Sequence, residues 1–264
     1  MASVIRVDDP ADPRVDDFRD LSTADRRPDR PGGKGLVIAE GVVVVRRMLA
    51  SPYPVRALLG VERRIAEVAG EVGHTVPAYV TSAEVMAEVV GFHLNRGVLA
   101  VADRAKPWTL DDLTGSRRLA VLEGVGDHEN LGALFRNVAA LGVDGVVIGP
   151  GCSDPLYRRS VRVSMGHVLA VPFTTVTEWP DALKYLQDKG FQVLALTPRA
   201  DAVPLNEIRI DGPVAVLLGS EGPGLTDGAI KAASHAVRIP MAGGVDSLNV
   251  ATAGAVAFYA IATG

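Results

Sequence analysis

Four short stretches carry residue types that could act on a bound ligand. In Asn130-Leu131-Gly132-Ala133-Leu134-Phe135-Arg136-Asn137, Asn130 opens a helical pattern whose apolar stripe is Leu131, Leu134, Phe135 and Val138. Arg136 lies off that stripe and is free to face a cleft. A guanidinium stays protonated at any ordinary pH, so it suits a phosphate clamp or an electrostatic activator better than a base. Leu218-Gly219-Ser220-Glu221-Gly222-Pro223-Gly224 follows an apolar run, where a ligand loop at the carboxyl end of a parallel strand belongs. Gly219 there gives close backbone approach. Near the C-terminus, a short apolar strand ending in Ile239-Pro240-Met241 leads through the glycine-rich loop 242–246 to Ser247-Leu248-Asn249. Ser247 reads as the cap of the helix that follows, with Leu248, Ala251, Ala255 and Phe258 at helical spacing. Singly, each stretch has a plain structural reading: a surface ion pair for Arg136, a turn with a solvated Glu221, an ordinary strand, loop and helix.

The elements that must position these residues are legible as patterns. Short valine-rich runs at 118–122, 145–149, 168–173, 191–196 and 213–218 read as strands. Helical patterns at 131–141, 179–189 and 225–234 separate several of them, which argues for a parallel sheet covered on both faces. Upstream, 38–50, 62–72 and 82–90 read as helices, and 55–61, 77–80 and 97–102 as strands. The first helix holds against the β-branched run Val42-Val43-Val44-Val45. Residues 103–114 lose apolar periodicity and contain Pro107, as a linker would. The first 35 residues are dense in Asp, Arg and Pro and read as a loosely held arm, in which Arg26, Arg27, Arg30 and Lys34 could touch phosphate.

Composition narrows the function classes. A chain of 264 residues can bury one large or two small cores. A formal net charge of −4 gives no global basic field, so any nucleic-acid site must be a local patch. One cysteine, Cys152, cannot make an internal disulfide; with no basic-apolar leader, a reducing cytoplasm is expected. Cys152 reads as a packed small residue, and no apolar run reaches membrane-spanning length. His128 and Glu129 lack further ligands at zinc spacing, so no metal site is expected.

Taken together and in this order, the Asn130–Asn137, Leu218–Leu225 and Ile239–Asn249 stretches resemble the three signature motifs of the SpoU (TrmH-like) class of SPOUT RNA 2′-O-methyltransferases. The likeness runs from about Arg118 to the C-terminus. The segment with Glu40-Gly41 and Arg46-Arg47-Met48-Leu49 looks like the first helix of the L30e-like substrate domain that precedes many SpoU domains. The resemblance implies a C-terminal α/β trefoil-knot domain with a mostly parallel sheet over 117–264, a smaller α/β L30e-like domain over 36–104, and a linker over 105–116. It implies S-adenosylmethionine as cofactor, held by Leu218, Gly219, Gly224, Ile239, Met241 and Leu248. The catalytic set it implies is Asn130, Arg136, Glu221, Ser247 and Asn249. In that set Arg136 engages target phosphate and ribose, Glu221 braces its loop or orients Asn130 and Arg136, and Asn249 orients substrate. RNA is the implied partner, ribosomal RNA ahead of transfer RNA, along with a homodimer joined through the knot helices. Arg46, Arg47, Arg63, Arg64 and Arg96, and the cluster Arg158, Arg159 and Arg162, are RNA-backbone candidates because that role needs cations and no base-reading geometry.

Two other readings compete. A nicotinamide-binding Rossmann enzyme requires Gly-x-Gly-x-x-Gly, but Gly124-Val125-Gly126-Asp127-His128-Glu129 puts glutamate at the third glycine. A non-catalytic RNA-binding or ribosome-assembly protein with the same fold would be favoured by loss of Arg136 or Asn249, and both are present.

Overall fold

The computed structural model describes residues 3–21, 34–243, 245 and 247–263. Arg26, Arg27 and Arg30 of the expected arm, and Gly244 and Asp246 of the C-terminal loop, lie outside the described residues. In chain order the first elements are β1 (Ser3–Arg6), β2 (Val37–Glu40), α1 (Val42–Leu49), β3 (Val55–Gly60), α2 (Glu62–Val68), β4 (Pro77–Val80), α3 (Ala83–Val90) and β5 (Val98–Ala102). Then come β6 (Arg118–Leu122), α4 (His128–Ala140), β7 (Gly145–Ile148), α5 (Arg158–Val163), β8 (Phe173–Thr175) and α6 (Asp181–Asp188). The last are β9 (Gln192–Leu196), β10 (Val203–Pro204), β11 (Val214–Leu218), α7 (Asp227–Ala232), β12 (His235–Arg238) and α8 (Val250–Thr263).

The described residues divide into two compact units. The first runs to Lys106 and also takes Asp154–Ala170; the second is Pro107–Ser153 with Val171 onward. The division after Lys106 falls inside the expected linker. Residues 154–170, expected within the C-terminal domain, group instead with the first unit, where α5 packs on β2.

The first unit has a five-stranded sheet in the order β1-β4-β3-β5-β2, with β5 antiparallel to both its neighbours. Two expectations are corrected here. Residues 38–40 belong to a strand, not to the first helix: Ala39 pairs with Ala100, and the helix starts only after Gly41, whose φ of +90° breaks the chain direction. The valine run does stay helical, since Val44, Val45 and Met48 bury one stripe and packing outweighs β propensity. The arm, in its described part, is not loose. β1 pairs in parallel with β4, and Val7, Val15, Phe18 and Leu21 are buried in the core beside Met86 and Leu99. Its apolar residues are few, but those four all point inward. Phe18→Ala is therefore expected to destabilise this unit by about 3 kcal/mol. Urea unfolding followed by circular dichroism checks this, and an unchanged midpoint would restore the loose arm.

The second unit has a seven-stranded, wholly parallel sheet in the order β10-β12-β9-β11-β6-β7-β8. Every residue of β11 is buried, as expected of a strand covered on both faces. The run at 168–173 does not form the expected strand: His167–Leu169 is a 3-10 turn, and the strand is Phe173–Thr175. Short apolar runs bury equally well either way, so periodicity cannot separate them. Helix α8 closes the unit against α4 and β11. Gly254 makes that approach possible, since a Cβ there would lie 2.6 Å from Leu134 Cδ2 and 3.2 Å from Leu218 Cδ1. Asn137 Nδ2 donates to Ala251 O at 2.8 Å, and Arg118 Nε donates to Ile261 O at 3.2 Å near the helix end. No helix among the described residues is long and apolar enough to cross a membrane.

Candidate active site

At the carboxyl ends of β9, β11 and β12 the second unit holds a cleft of about 440 Å³, a volume suited to a nucleoside-sized ligand. All six expected cofactor residues, Leu218, Gly219, Gly224, Ile239, Met241 and Leu248, line it, as do Glu221, Ser247 and Asn249. The residues after β9, Leu196, Thr197 and Pro198, also line it and were missed. The signal was available, because an apolar strand ending at Thr197-Pro198 obeys the same strand-end rule as Leu218-Gly219.

The loop after β11 is shaped by its glycines. Gly222 and Gly224 take φ of +83° and +72°, and Gly224 N donates to Ser220 O at 3.2 Å. A Cβ on Gly219 would come within 2.5 Å of Gly224 C and Leu225 N, so the close approach it allows is that of the loop to itself. Beneath the loop sits Glu123, which is 5% exposed and also escaped the sequence reading. It accepts from Thr226 N at 2.9 Å, Thr226 Oγ1 at 2.8 Å and Trp179 Nε1 at 2.6 Å. Its own N donates to Leu218 O at 2.9 Å. Three donors satisfy the buried carboxylate, which ties both ends of the loop to the end of β6. A glutamate directly after the apolar run 119–122 was the available cue.

Asn249 joins the motifs. Its Oδ1 accepts from Ala251 N at 3.0 Å and Thr252 N at 3.2 Å, so Asn249, not Ser247, caps α8. Its Nδ2 donates to Asn130 Oδ1 and to Glu221 Oε1, each at 2.7 Å. Asn130 in turn sits in the first turn of α4 and does not open it: Asp127 is the cap, accepting from Glu129 N at 2.9 Å and Asn130 N at 2.8 Å. Four of the five expected catalytic residues thus gather at the cleft or on Asn249. Arg136 does not join them. Six residues at about 100° each put it roughly 240° round the helix from Asn130. It is exposed, and makes no hydrogen bond or ion pair among the described residues.

Burial pushes the Cys152 thiol up to about 11, and its Sγ lies 3.5 Å from Leu122 O, so it packs and supplies no thiolate at neutral pH. Among the described residues, no three His, Cys, Asp or Glu side chains group as metal ligands.

The RNA candidates lie in the first unit. Arg46 Nε pairs with Glu71 Oε1 at 2.7 Å and its Nη2 donates to Glu67 O at 2.8 Å; Arg47 donates to Met165 O. Arg158 Nη1 is 3.2 Å from Glu40 Oε2, Arg162 Nη1 is 3.9 Å from the same oxygen, and Arg159 is exposed on α5.

Residues 117–259 match the SpoU rRNA Methylase family. A tRNA/rRNA methyltransferase of Mycobacterium tuberculosis, itself called uncharacterized, is 57% identical over 95% of this chain and 89% of its own length. A 23S rRNA (guanosine-2′-O-)-methyltransferase of Shewanella oneidensis is 33% identical over 68% of this chain and 75% of its own length. The crystal structure of an rRNA methyltransferase from Sinorhizobium meliloti superposes with a TM-score of 0.81 at 26% identity, covering 98% of this chain and 97% of that one. Its AdoMet-bound form superposes with a TM-score of 0.79 at 26% identity, covering 97% of each chain. The motifs that meet at one cleft lie inside the matched span, and the likeness to whole relatives extends through both units: the chain belongs to the SpoU family of RNA methyltransferases.

Proposed function

We propose that this protein transfers a methyl group from S-adenosylmethionine to a ribose 2′-hydroxyl of RNA, with ribosomal RNA the substrate. The observation that carries the reading is Asn249, which links Asn130 and Glu221 at 2.7 Å each beside the cleft. The cleft fits the cofactor in kind: Leu218, Ile239 and Leu248 offer apolar walls for an adenine, and the loop at 219–224 offers main-chain groups for its polar edge. When bound, the cofactor supplies a methyl group already activated on a sulfonium.

The remaining work falls to the chain's own residues. Holding two substrates in register supplies much of the rate, and the Asn130–Asn249–Glu221 link fixes the wall against which the ribose would rest. Arg136 clamps the target phosphate and favours the deprotonated 2′-oxygen electrostatically, keeping its own proton while the hydroxyl proton passes to solvent water. Because Arg136 points away from the link on its own helix, the reading includes a homodimer in which one copy's Arg136 serves its partner's cleft. Exposed Val256 and Tyr259 on α8 offer an apolar face for such pairing. The choice of ribosomal RNA draws on the Shewanella oneidensis relative's named reaction.

Calorimetric titration with S-adenosylmethionine, followed by nucleoside mass spectrometry of ribosomal RNA incubated with protein and cofactor, tests the proposal. Micromolar binding and a new 2′-O-methylnucleoside are expected. Absence of both in well-folded protein would overturn it in favour of a non-catalytic RNA-binding role; 2′-O-methylation confined to transfer RNA would overturn the substrate.

A further inference from the structure

In the first unit, Glu40 ends β2 with a side chain only 8% exposed. A carboxylate buried this far must be paired. Arg158 does this: its Nη1 lies 3.2 Å from Glu40 Oε2, and its guanidinium sits 4.7 Å from the centroid of the Phe92 ring. Two more guanidiniums reach the same carboxylate loosely. Arg162 Nη1 is 3.9 Å from Oε2 and Arg96 Nε is 3.9 Å from Oε1, both too long for hydrogen bonds, and their side chains are 40% and 44% exposed. One carboxylate therefore faces three cations, and it accepts a hydrogen bond from the most buried of them, Arg158.

The backbone makes room for this grouping. The Arg96 stem lies over Gly41, where a Cβ would come 2.9 Å from Arg96 Cδ, and the φ of +90° at Gly41 suits little but glycine. Several other arginines of the unit are committed to acids or carbonyls: Arg46 to Glu71, Arg64 to Glu67, Arg47 to Met165 O and Arg104 to Asp154; exposed Arg63 makes no ion pair among the described residues but shares no carboxylate with a second cation. Arg96 and Arg162, 44% and 40% exposed, donate no side-chain hydrogen bond among the described residues and share one part-neutralised carboxylate.

We propose that Arg96 and Arg162, held together by the Glu40–Arg158 pair, form a subsite for the phosphodiester backbone of the RNA. Arginine suits the role because its planar fork matches two phosphate oxygens. The site deepens the methyltransferase reading and rests on it for the identity of the ligand. Arg158 is its scaffold, and Arg46 and Arg47 lie outside it.

The test uses the whole 264-residue chain and a fluorescein-labelled, mixed-sequence RNA hairpin, with affinity read by anisotropy between about 50 and 300 mM KCl. For the double variant Arg96→Gln/Arg162→Gln, the slope of log affinity against log salt is expected to shrink by about 0.7 to 1.4, with roughly five- to twenty-five-fold weaker binding near 0.1 M salt. Arg96→Lys/Arg162→Lys keeps the charges and should keep the slope. Arg6→Gln, at an exposed arginine paired with Asp8 and outside every proposed site, should match wild type. A glutamine double variant with wild-type affinity and slope overturns the proposal, as does an Arg6→Gln loss of equal size, which would mean diffuse charge. If the double glutamine variant fails to fold, Arg162→Gln alone, with an expected slope change of about 0.7, decides the matter. S-adenosylmethionine titration of each variant separates the two readings. Cofactor binding with an unaltered RNA slope sinks only the phosphate site, and a slope change without cofactor binding sinks only the methyltransferase.

Discussion

Replacing Arg136 with alanine is expected to slow methyl transfer by roughly 10³-fold, about 4 kcal/mol, with S-adenosylmethionine affinity and unfolding midpoint unchanged. The size follows from the role. A fixed cation beside a developing alkoxide acts where charge appears in the transition state, and losing one such group costs 10²- to 10³-fold or more in comparable sites. The unchanged stability follows from the structure, since the side chain is exposed and makes no ion pair or hydrogen bond among the described residues. The unchanged cofactor affinity follows because Arg136 does not line the cleft. Arg136→Lys should recover part of the rate, as it keeps the charge and loses the fork. Single-turnover transfer to ribosomal RNA beside calorimetry reads all three quantities. A variant that transfers at the wild-type rate, or one that loses the cofactor, would remove Arg136 from the chemistry proposed for it.

Much of this site was legible because its residues sit where strands end. Leu218–Gly224 and Ile239–Met241 follow valine-rich runs, and a parallel sheet delivers such segments to one edge whatever the details of the helices. What was not legible depends on partners distant in sequence. Glu123 drew no reading, because nothing local says that Thr226 and Trp179 will supply three donors to it. Ser247 is a good cap by type, yet Asn249 takes the position because its amide can cap α8 and reach Asn130 and Glu221 at once. The N-terminal stretch misled for the same reason. Its charge density argues for a solvated arm, and only its packing in the core with Met86, Val89 and Val90 of α3 explains why Val15 and Phe18 are fully buried. Arg46 and Arg158 read as RNA cations from the segments that carry them, and the sequence does not show that each has an acidic partner in the fold, at Glu71 and Glu40.

The two duties of Asn249 can be separated by substitution. Asn249→Ser keeps an oxygen able to cap α8 and should hold stability within about 0.5 kcal/mol, since serine caps nearly as well as asparagine. It removes the amide that donates to Asn130 and Glu221, leaving those groups to drift, and transfer should fall roughly 10²-fold through lost alignment. Asn249→Asp is the harsher change: it sets an acceptor 2.7 Å from both Asn130 Oδ1 and Glu221 Oε1, where the amide donated. Transfer by that variant should be below detection. The pair of positions also tests how two copies share a site. If one copy's Arg136 completes its partner's cleft, subunits of Arg136→Ala and Asn249→Asp, each inactive alone, make one intact site in every mixed dimer. Random exchange puts half the dimers in that class, so the mixture should recover roughly a quarter of wild-type activity. If Arg136 served its own cleft, no mixed dimer would hold an intact site, and no activity would return.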